Sequence, residues 1–419
     1  MEDNAMESQS AASTEKPKRF GPGLLVAAAF IGPGTVLTAS KAGAGHGLDL
    51  LWCIAFASLG AIVLQLLAAR LGILSGVGLG EYLRGWLSGT VWALPVFLLI
   101  VLAIGAGNAF YQAGNLFGAA SGLSAVAGGT APLWVSIIAG LTVALLLLGS
   151  YRVLQNVLVS LVAFLSLTFL ITACLSPPSL SGIAAGMVPS LDAEKLGTII
   201  ALIGTTIVPY NLFLHSSSAA KNWSDCDKEA GLRQARWDTI VAISLGGLVT
   251  ASILMTASSA FFESEQELKK VQDIAAQLQP VLGDFSVYAF AAGLFAAGFT
   301  SSITAPLATS YAVCGVAGWD IREKSWPFRG IAIAVVLIAT AFILGLGGAP
   351  GQTIFIAQLA NGLLMPLIAI LLLVAVVRLN REHQEETAAS MNPLQLTVAG
   401  GVVLLVCALN CWKLLQLLG

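Results

Sequence analysis

The chain has 419 residues, of which 57% are hydrophobic and 10% charged, with a formal net charge of −2. Soluble chains of this length divide into domains and carry about 25% charged residues, so the composition excludes an ordinary soluble protein and places the chain in the membrane class. No nucleic-acid partner is expected; the partners implied are the lipid bilayer and a small molecule or ion.

Residues 1–20 are rich in Ser, Glu, Lys and Pro and read as a disordered cytoplasmic tail, without the apolar core of a cleavable signal peptide. Apolar segments then follow at 22–45, 50–74, 92–122, 132–149, 153–174, 196–220, 238–262, 284–314, 327–347, 351–378 and 393–417. Each is about the length that crosses ~30 Å of hydrocarbon. With the N-terminus inside, only Lys41, Lys195, Lys269, Lys270 and Lys413 of the 20 Lys and Arg fall on the outer side, as the positive-inside rule requires. An odd number of spans puts the C-terminus outside. Short loops and absent sorting signals suggest a bacterial inner membrane. The charged, periodic stretch Glu263–Leu282 reads as a short surface helix outside the membrane. Six cysteines (Cys53, Cys174, Cys226, Cys314, Cys407 and Cys411) lack metal-ligand spacing and mostly sit in apolar runs, the pattern of free packing thiols.

Two of the apolar segments are interrupted. Phe30-Ile31-Gly32-Pro33-Gly34-Thr35 breaks the first, and Thr205-Thr206-Ile207-Val208-Pro209-Tyr210-Asn211 breaks the sixth. Backbone that leaves the helix at membrane depth survives only where protein or a water-filled cavity satisfies its polar groups. Paired interruptions in corresponding positions of two halves point to a carrier's binding site. Segments one to five (21–178) and six to ten (190–378) therefore read as inverted five-helix repeats, with the eleventh (390–419) as an addition. No phosphate loop and no nucleophile with a placed base is present, so the chain is not read as an enzyme and no cofactor is expected. A channel fits less well, since no acidic ring lines a pore. A sensor or scaffold on a carrier fold stays open as a reading from another class.

Leu50-Leu51-Trp52, the run Leu64-Gln65-Leu66-Leu67-Ala68-Ala69-Arg70-Leu71-Gly72-Ile73, and Gly80-Glu81 resemble the second helix of NRAMP-family transporters. Pro209-Tyr210-Asn211-Leu212-Phe213-Leu214-His215-Ser216 resembles the family's sixth-helix MPHNLYLHS. Gly298-Phe299-Thr300-Ser301-Ser302 and Gln358 ahead of Met365-Pro366-Leu367 add to the likeness, which spans residues 20–419. The resemblance implies an all-α membrane protein of the LeuT-type (APC superfamily) fold, with about 11 transmembrane helices, an inverted 5+5 repeat and helices 1 and 6 broken. It also implies transport of divalent metals such as manganese or iron, usually with protons.

The residues depart from that pattern where metal is bound. The family's first-helix Asp-Pro-Gly-Asn is Gly32-Pro33-Gly34-Thr35 here, its sixth-helix Met is Val208, a nearby Ala is Thr205, and the His after Pro is Tyr210. The third-helix acids of the proton route fall on Gln112 and Asn115, and Gln358 keeps the tenth-helix contributor. A dehydrated dication needs anionic or several neutral oxygen ligands, and transition metals favour sulfur or imidazole. Bare Mn2+ or Fe2+ is therefore not the expected cargo, and no metal ligand is assigned. The expected substrate is a small polar or anionic solute moved by alternating access. The alternative is a divalent cation of the Mg2+ or Mn2+ kind, bound largely hydrated. Gly32, Gly34, Thr35, Thr205, Thr206, Val208, Tyr210, Asn211 and Gln358 are the expected substrate contacts, with Thr38 lining the same route.

Gln112, Asn115, His215, Ser301, Ser302 and Lys41 are candidates for coupling or gating, each with a plainer alternative. Gln112 and Asn115 can bridge helices as a neutral hydrogen-bond network, and His215 can be a packing histidine. Ser301, Ser302 and Thr304 can line a sodium-like site or let helices approach closely. Lys41 can snorkel to the interface beside Asp49 or lend positive potential to the outer vestibule. Gly34 is expected in the unwound turn, where a Cβ clashes. Arg70, Glu81 and Arg84 are expected to form an intracellular salt-bridge network.

Overall fold

A computed structural model describes residues 31–149, 152–225, 227–262, 268, 271–346, 350–382 and 391–418, with the side chains of 152–153, 346, 350–363, 410 and 413–418 outside the description. Among these residues the chain is helical throughout, and nine helices are long and apolar enough to cross a membrane.

The first interrupted segment yields α1 (Pro33–His46). Helix α2 (Leu51–Ser75) is the second span and stops where Gly76 takes φ 72°, its N–H returning to the Gly72 carbonyl. The αL position is open to glycine without a Cβ penalty. A nine-residue amphipathic helix, α3 (Leu79–Leu87), follows. The third span, α4 (Ala93–Ala127), contains a π-helical turn at Val101–Ala106. Helices α5 (Ala131–Leu148) and α6 (Arg152–Leu175) complete the first half, followed by the short α7 (Leu180–Gly186).

In the second half the broken segment gives α8 (Leu196–Thr206) and α9 (Pro209–Trp223). Asp227 caps α10 (Lys228–Phe261) by accepting from the Ala230 N–H. This satisfies one of the orphan amides that every helix start carries. Next come α11 (Val271–Ala275), α12 (Ser286–Ala317), α13 (Trp326–Leu346), α14 (Pro350–Glu382) and α15 (Pro393–Leu418).

Close helix approach helps to hold the centre. A Cβ on Gly118 of α4 would stand 2.2 Å from the Pro33 ring, and one on Gly72 of α2 would stand 2.1 Å from the Ser216 carbonyl of α9. Both broken segments are thereby pinned by small residues, the device membrane helices use when lipid gives no hydrophobic drive. Helix α12 packs along α4, and α10 along α1.

Two expectations change. The stretch after Phe262 is not simply a surface helix: Ile274, Ala275, Gln277 and Leu278 are buried, because the apolar side of its short turns packs into the bundle. Within the described residues, Gly34 lies inside α1 as a helical residue and is not among the positive-φ glycines. The interruption ends one residue earlier because Pro33, with φ preset, opens the helix. Helix α3 lies outside the predicted spans; nine residues are too short to cross. The tail 1–20, the Glu263–Glu267 part of the loop and Cys226 lie outside the described residues, while Cys53, Cys174, Cys314, Cys407 and Cys411 are free thiols.

Candidate functional site

Proline chemistry builds both interruptions. Pro209 lacks an N–H, and its ring clashes with the carbonyl four residues back, so a helix arriving from Leu196 cannot continue through it. The residue before a proline is driven to extended backbone, and Val208 sits at φ −100°, ψ 123°. Gly32, before Pro33, is extended in the same way at φ −85°, ψ 173°. Each following half-helix starts on its proline without a side-chain cap, so its first N–H groups and positive dipole end face the interruption.

The two interruptions meet. Thr35 Oγ1 lies 2.8 Å from Thr205 Oγ1, and both residues are buried, as are Thr38, Thr206, Val208, Tyr210 and Asn211. Thr206 turns its hydroxyl back to the Leu202 carbonyl at 3.2 Å, so of the two neighbouring threonines only Thr205 reaches across. The Asn211 amide is 1% exposed, and neither its oxygen nor its nitrogen has a hydrogen-bond partner among the described residues. Buried amides are normally paired, and this one keeps its donor and acceptor capacity unspent among the described residues. The Tyr210 ring packs on Tyr111 of α4, centroids 5.3 Å apart.

Behind the interruption, α4 presents amides to α12. Gln112 Nε2 donates to the Ser302 carbonyl at 3.0 Å, and Asn115 Nδ2 donates to Gln112 Oε1 at 3.4 Å. Asn108, one turn earlier, donates to the Ala305 carbonyl at 2.8 Å and also to Thr309 Oγ1. The π-helical turn ends two residues before Asn108, and such a turn re-phases a helix, which sets the i, i+4, i+7 face carrying all three amides. Gln112 and Asn115 thus form the neutral interhelical network that was one of their two readings. Asn108 escaped the sequence reading, although its spacing of four from Gln112 was the available signal.

His215 is buried, with Nε2 3.2 Å from Thr239 Oγ1 and Nδ1 unpartnered among the described residues. Ser302 is committed: its hydroxyl donates to the Phe299 carbonyl and meets Thr142 Oγ1 at 3.1 Å, facing α5. Ser301 Oγ and Thr300 Oγ1 are buried without partners among the described residues. Among the described residues no ion pair joins Lys41 to Asp49. That carboxylate takes Lys195 at 2.8 Å, and Lys195 also reaches Asp192 at 3.0 Å. These hydrogen bonds, to Asp49 first, raise the Lys195 ammonium above its ordinary 10.5. Gln358 lies on α14, with its side chain outside the described residues. Glu81 is spent on the Gly78 N–H at the start of α3, and no ion pair joins it to Arg84 among the described residues.

Two polar clusters flank the site, and neither shows as a motif in the sequence. On one side Gln277 donates to Ser40 of α1 at 3.0 Å and accepts from Thr256 of α10 at 3.1 Å. On the other, Lys221 at the end of α9 donates to Tyr311 Oη at 2.6 Å, and Tyr311 donates to Glu323 Oε1 at 2.5 Å. Among the described residues no group of three or more His, Cys, Asp or Glu could hold a metal ion. The arrangement offers, among the described residues, hydroxyls, an amide and helix ends in an apolar surround: it can orient a polar group but supplies no fixed negative charge.

The family profile described as "Natural resistance-associated macrophage protein-like" matches residues 23–416. A divalent metal cation transporter MntH of Acidiphilium cryptum is 28% identical, covering 95% of this chain and 90% of its own. MntH 1 of Pseudomonas aeruginosa is 32% identical over 83% and 80%. Among solved structures, an Eremococcus coleocola manganese transporter superposes with a TM-score of 0.69 at 23% identity, covering 94% of this chain and 93% of that one. MhsT in complex with L-phenylalanine gives 0.60 at 14% identity, over 93% and 98%. Both show the fold alone.

Proposed function

The chain belongs to the natural resistance-associated macrophage protein family of integral membrane transporters, and on that premise we propose that it carries a divalent cation that keeps most of its water. It is a transporter and not an enzyme. The relatives it matches over most of their length are named divalent metal cation transporters, which supports a dication as cargo. The absence of side-chain charge at the interruptions supports the hydrated form. Stripping a dication without a carboxylate leaves its charge uncompensated in low dielectric, whereas magnesium gives up water reluctantly and is held through a few oxygens.

The observation that carries this reading is the Thr35–Thr205 contact: both groups that face each other across the interruptions are hydroxyls. Under it, Gly32, Gly34, Thr35, Thr205, Thr206, Val208, Tyr210, Asn211 and Gln358 surround the ion and its water, through backbone carbonyls, hydroxyls and amides. Alternating access moves the segments around that point. Gln112 and Asn115 cannot ionise, so a proton-coupled cycle through α4 is absent under this reading. His215, Ser301, Ser302 and Lys41 remain the residues for coupling or gating. The 21–178 and 190–378 halves act as the two repeats, with 390–419 outside them, and the N-terminus lies in the cytoplasm of a bacterial inner membrane.

A second reading is favoured by one observation. The Asn211 amide, unpaired among the described residues and lying in the uncapped first turn of α9, suits a small polar or anionic solute. Proteoliposomes offered magnesium, manganese and a panel of small organic acids separate the two. Saturable magnesium uptake supports the first. Uptake of an organic acid with no divalent flux overturns it in favour of the second. Micromolar, saturable manganese uptake with displacement of its water removes both.

A further inference from the structure

Away from the interruptions, a cavity of about 860 Å³ lies where the end of α2 and the starts of α10 and α15 come together. It is lined by three guanidinium groups, Arg70, Arg233 and Arg236, and by one carboxylate, Glu229. Arg233 and Arg236 are exposed, and neither joins an ion pair among the described residues. The rest of the lining is largely apolar and includes Leu66, Ile240, Leu394 and Val398. Trp237, 65% exposed, also lines it. Membrane proteins enrich exposed tryptophan at headgroup depth.

A site for a hydrophilic metabolite has no use for an exposed apolar wall, and a plain lipid-facing surface has no use for three arginines at one spot. The combination has one natural occupant. Basic pockets between transmembrane helices bind anionic headgroups, because guanidinium forks hydrogen-bond phosphate oxygens two at a time. The apolar stretch then takes the upper part of an acyl chain. We propose that this cavity binds an anionic phospholipid, its phosphate between Arg233 and Arg236 and its chain along Leu66, Ile240 and Val398. The spacing of Arg233 and Arg236, three residues apart on one helix, puts both groups on one face. Glu229, one turn before Arg233 on that face, lowers the net field without cancelling it. Since α15 lies outside the five-plus-five core, a lipid here clamps the added helix to α2 and α10 and is separate from the cargo path.

Native mass spectrometry of the full chain in detergent tests this with three added probes: a phosphatidylglycerol, a phosphatidylcholine of the same chains, and glycerol 3-phosphate. Phosphatidylglycerol is expected to be retained selectively. The double variant Arg233→Gln/Arg236→Gln should bind it about 30-fold more weakly, the loss for two basic charges near a lipid surface. Val398→Trp, which fills the apolar wall and leaves both arginines, should also reduce retention. Equal retention of phosphatidylcholine overturns the proposal, as does unchanged binding in both variants. Displacement of the lipid by glycerol 3-phosphate would show a soluble-phosphate site instead and would equally overturn it.

Discussion

Thr35 and Thr205 are separated by 170 positions in the chain, yet their hydroxyl oxygens lie 2.8 Å apart. The contact joins the first turn of α1, which opens on Pro33, to the last turn of α8, which ends ahead of Pro209. A carboxylate or thioether at this meeting point would make a site for a bare transition metal. Hydroxyls make a neutral one, and from that difference the substitution below follows.

Gly32→Asp should convert the neutral site into one that grips divalent ions. Gly32 has an extended backbone at φ −85°, ψ 173°, which any L residue adopts without strain. It is also the N-cap of α1, where Asp is favoured and contributes about 1 kcal/mol. Isothermal titration with manganese should show affinity at least ~10-fold tighter than in the parent chain, equivalent to about 1.4 kcal/mol. An unchanged titration would remove even a latent metal site from these interruptions.

Gly118→Ala tests whether the first interruption is held by close packing. The added methyl would stand 2.2 Å from Pro33 Cβ, whereas a Cβ at Gly140 meets nothing within 4 Å. Overpacking of this kind costs roughly 1–3 kcal/mol. Thermal unfolding in detergent should therefore fall clearly for Gly118→Ala and scarcely move for Gly140→Ala. Equal curves would mean that α4 does not set the position of Pro33.

Tyr311→Phe should loosen the polar cluster at the end of α9. It removes the acceptor of Lys221 and the donor to Glu323, leaving Lys221 and Glu323 at 3.5 Å with roughly half of each side chain in solvent. Pairs so exposed contribute about 0–1 kcal/mol, so the expected effect is a shift of a few-fold in population, not unfolding. Modification of a cysteine introduced at Asn222 should accelerate in Tyr311→Phe if this cluster holds the release path shut. A rate equal to that of the Asn222→Cys parent would show that it does not.

Lys195 carries a pH signature. Its folded-state value is raised above 10.5, first by the hydrogen bond to Asp49 and next by that to Asp192. A raised value means that the contribution to stability is fully present below 10.5 and is lost as pH climbs through the folded value. Lys195→Gln should therefore lower Tm slightly at neutral pH, by an amount fitting an exposed pair. The difference should persist up to about pH 10.5, and the two curves should converge only once pH has passed the raised folded-state value. Parallel curves across the whole range would assign the pair no role in stability.

Much of the architecture was legible because a bilayer imposes length. Predicted spans such as 50–74 and 153–174 meet helices Leu51–Ser75 and Arg152–Leu175, since a run of about 20 apolar residues has only one stable form in hydrocarbon. The elements that escaped are those to which that rule does not apply. Helix α3 is too short to span, and the π-helical turn at Val101–Ala106 lies inside an apolar run whose composition does not mark it. The ion-pair partner of Asp49 is likewise not readable from any one segment. Lys41 is eight residues away in sequence, but Lys195 is the one that the fold delivers to it.

By itself, then, the order of residues decided where the chain crosses the membrane, where prolines interrupt it and which ligand types are missing at those interruptions. These are consequences of local backbone chemistry and of what each side chain can donate or accept. Only the folded arrangement decided which polar groups meet: Thr35 with Thr205, Gln112 with the Ser302 carbonyl, Gln277 with Ser40, and three arginines around one cavity. Such contacts depend on how helices distant in sequence rotate and pack against one another. That rotation is set by the sum of many small packing terms across the bundle, which no single segment contains.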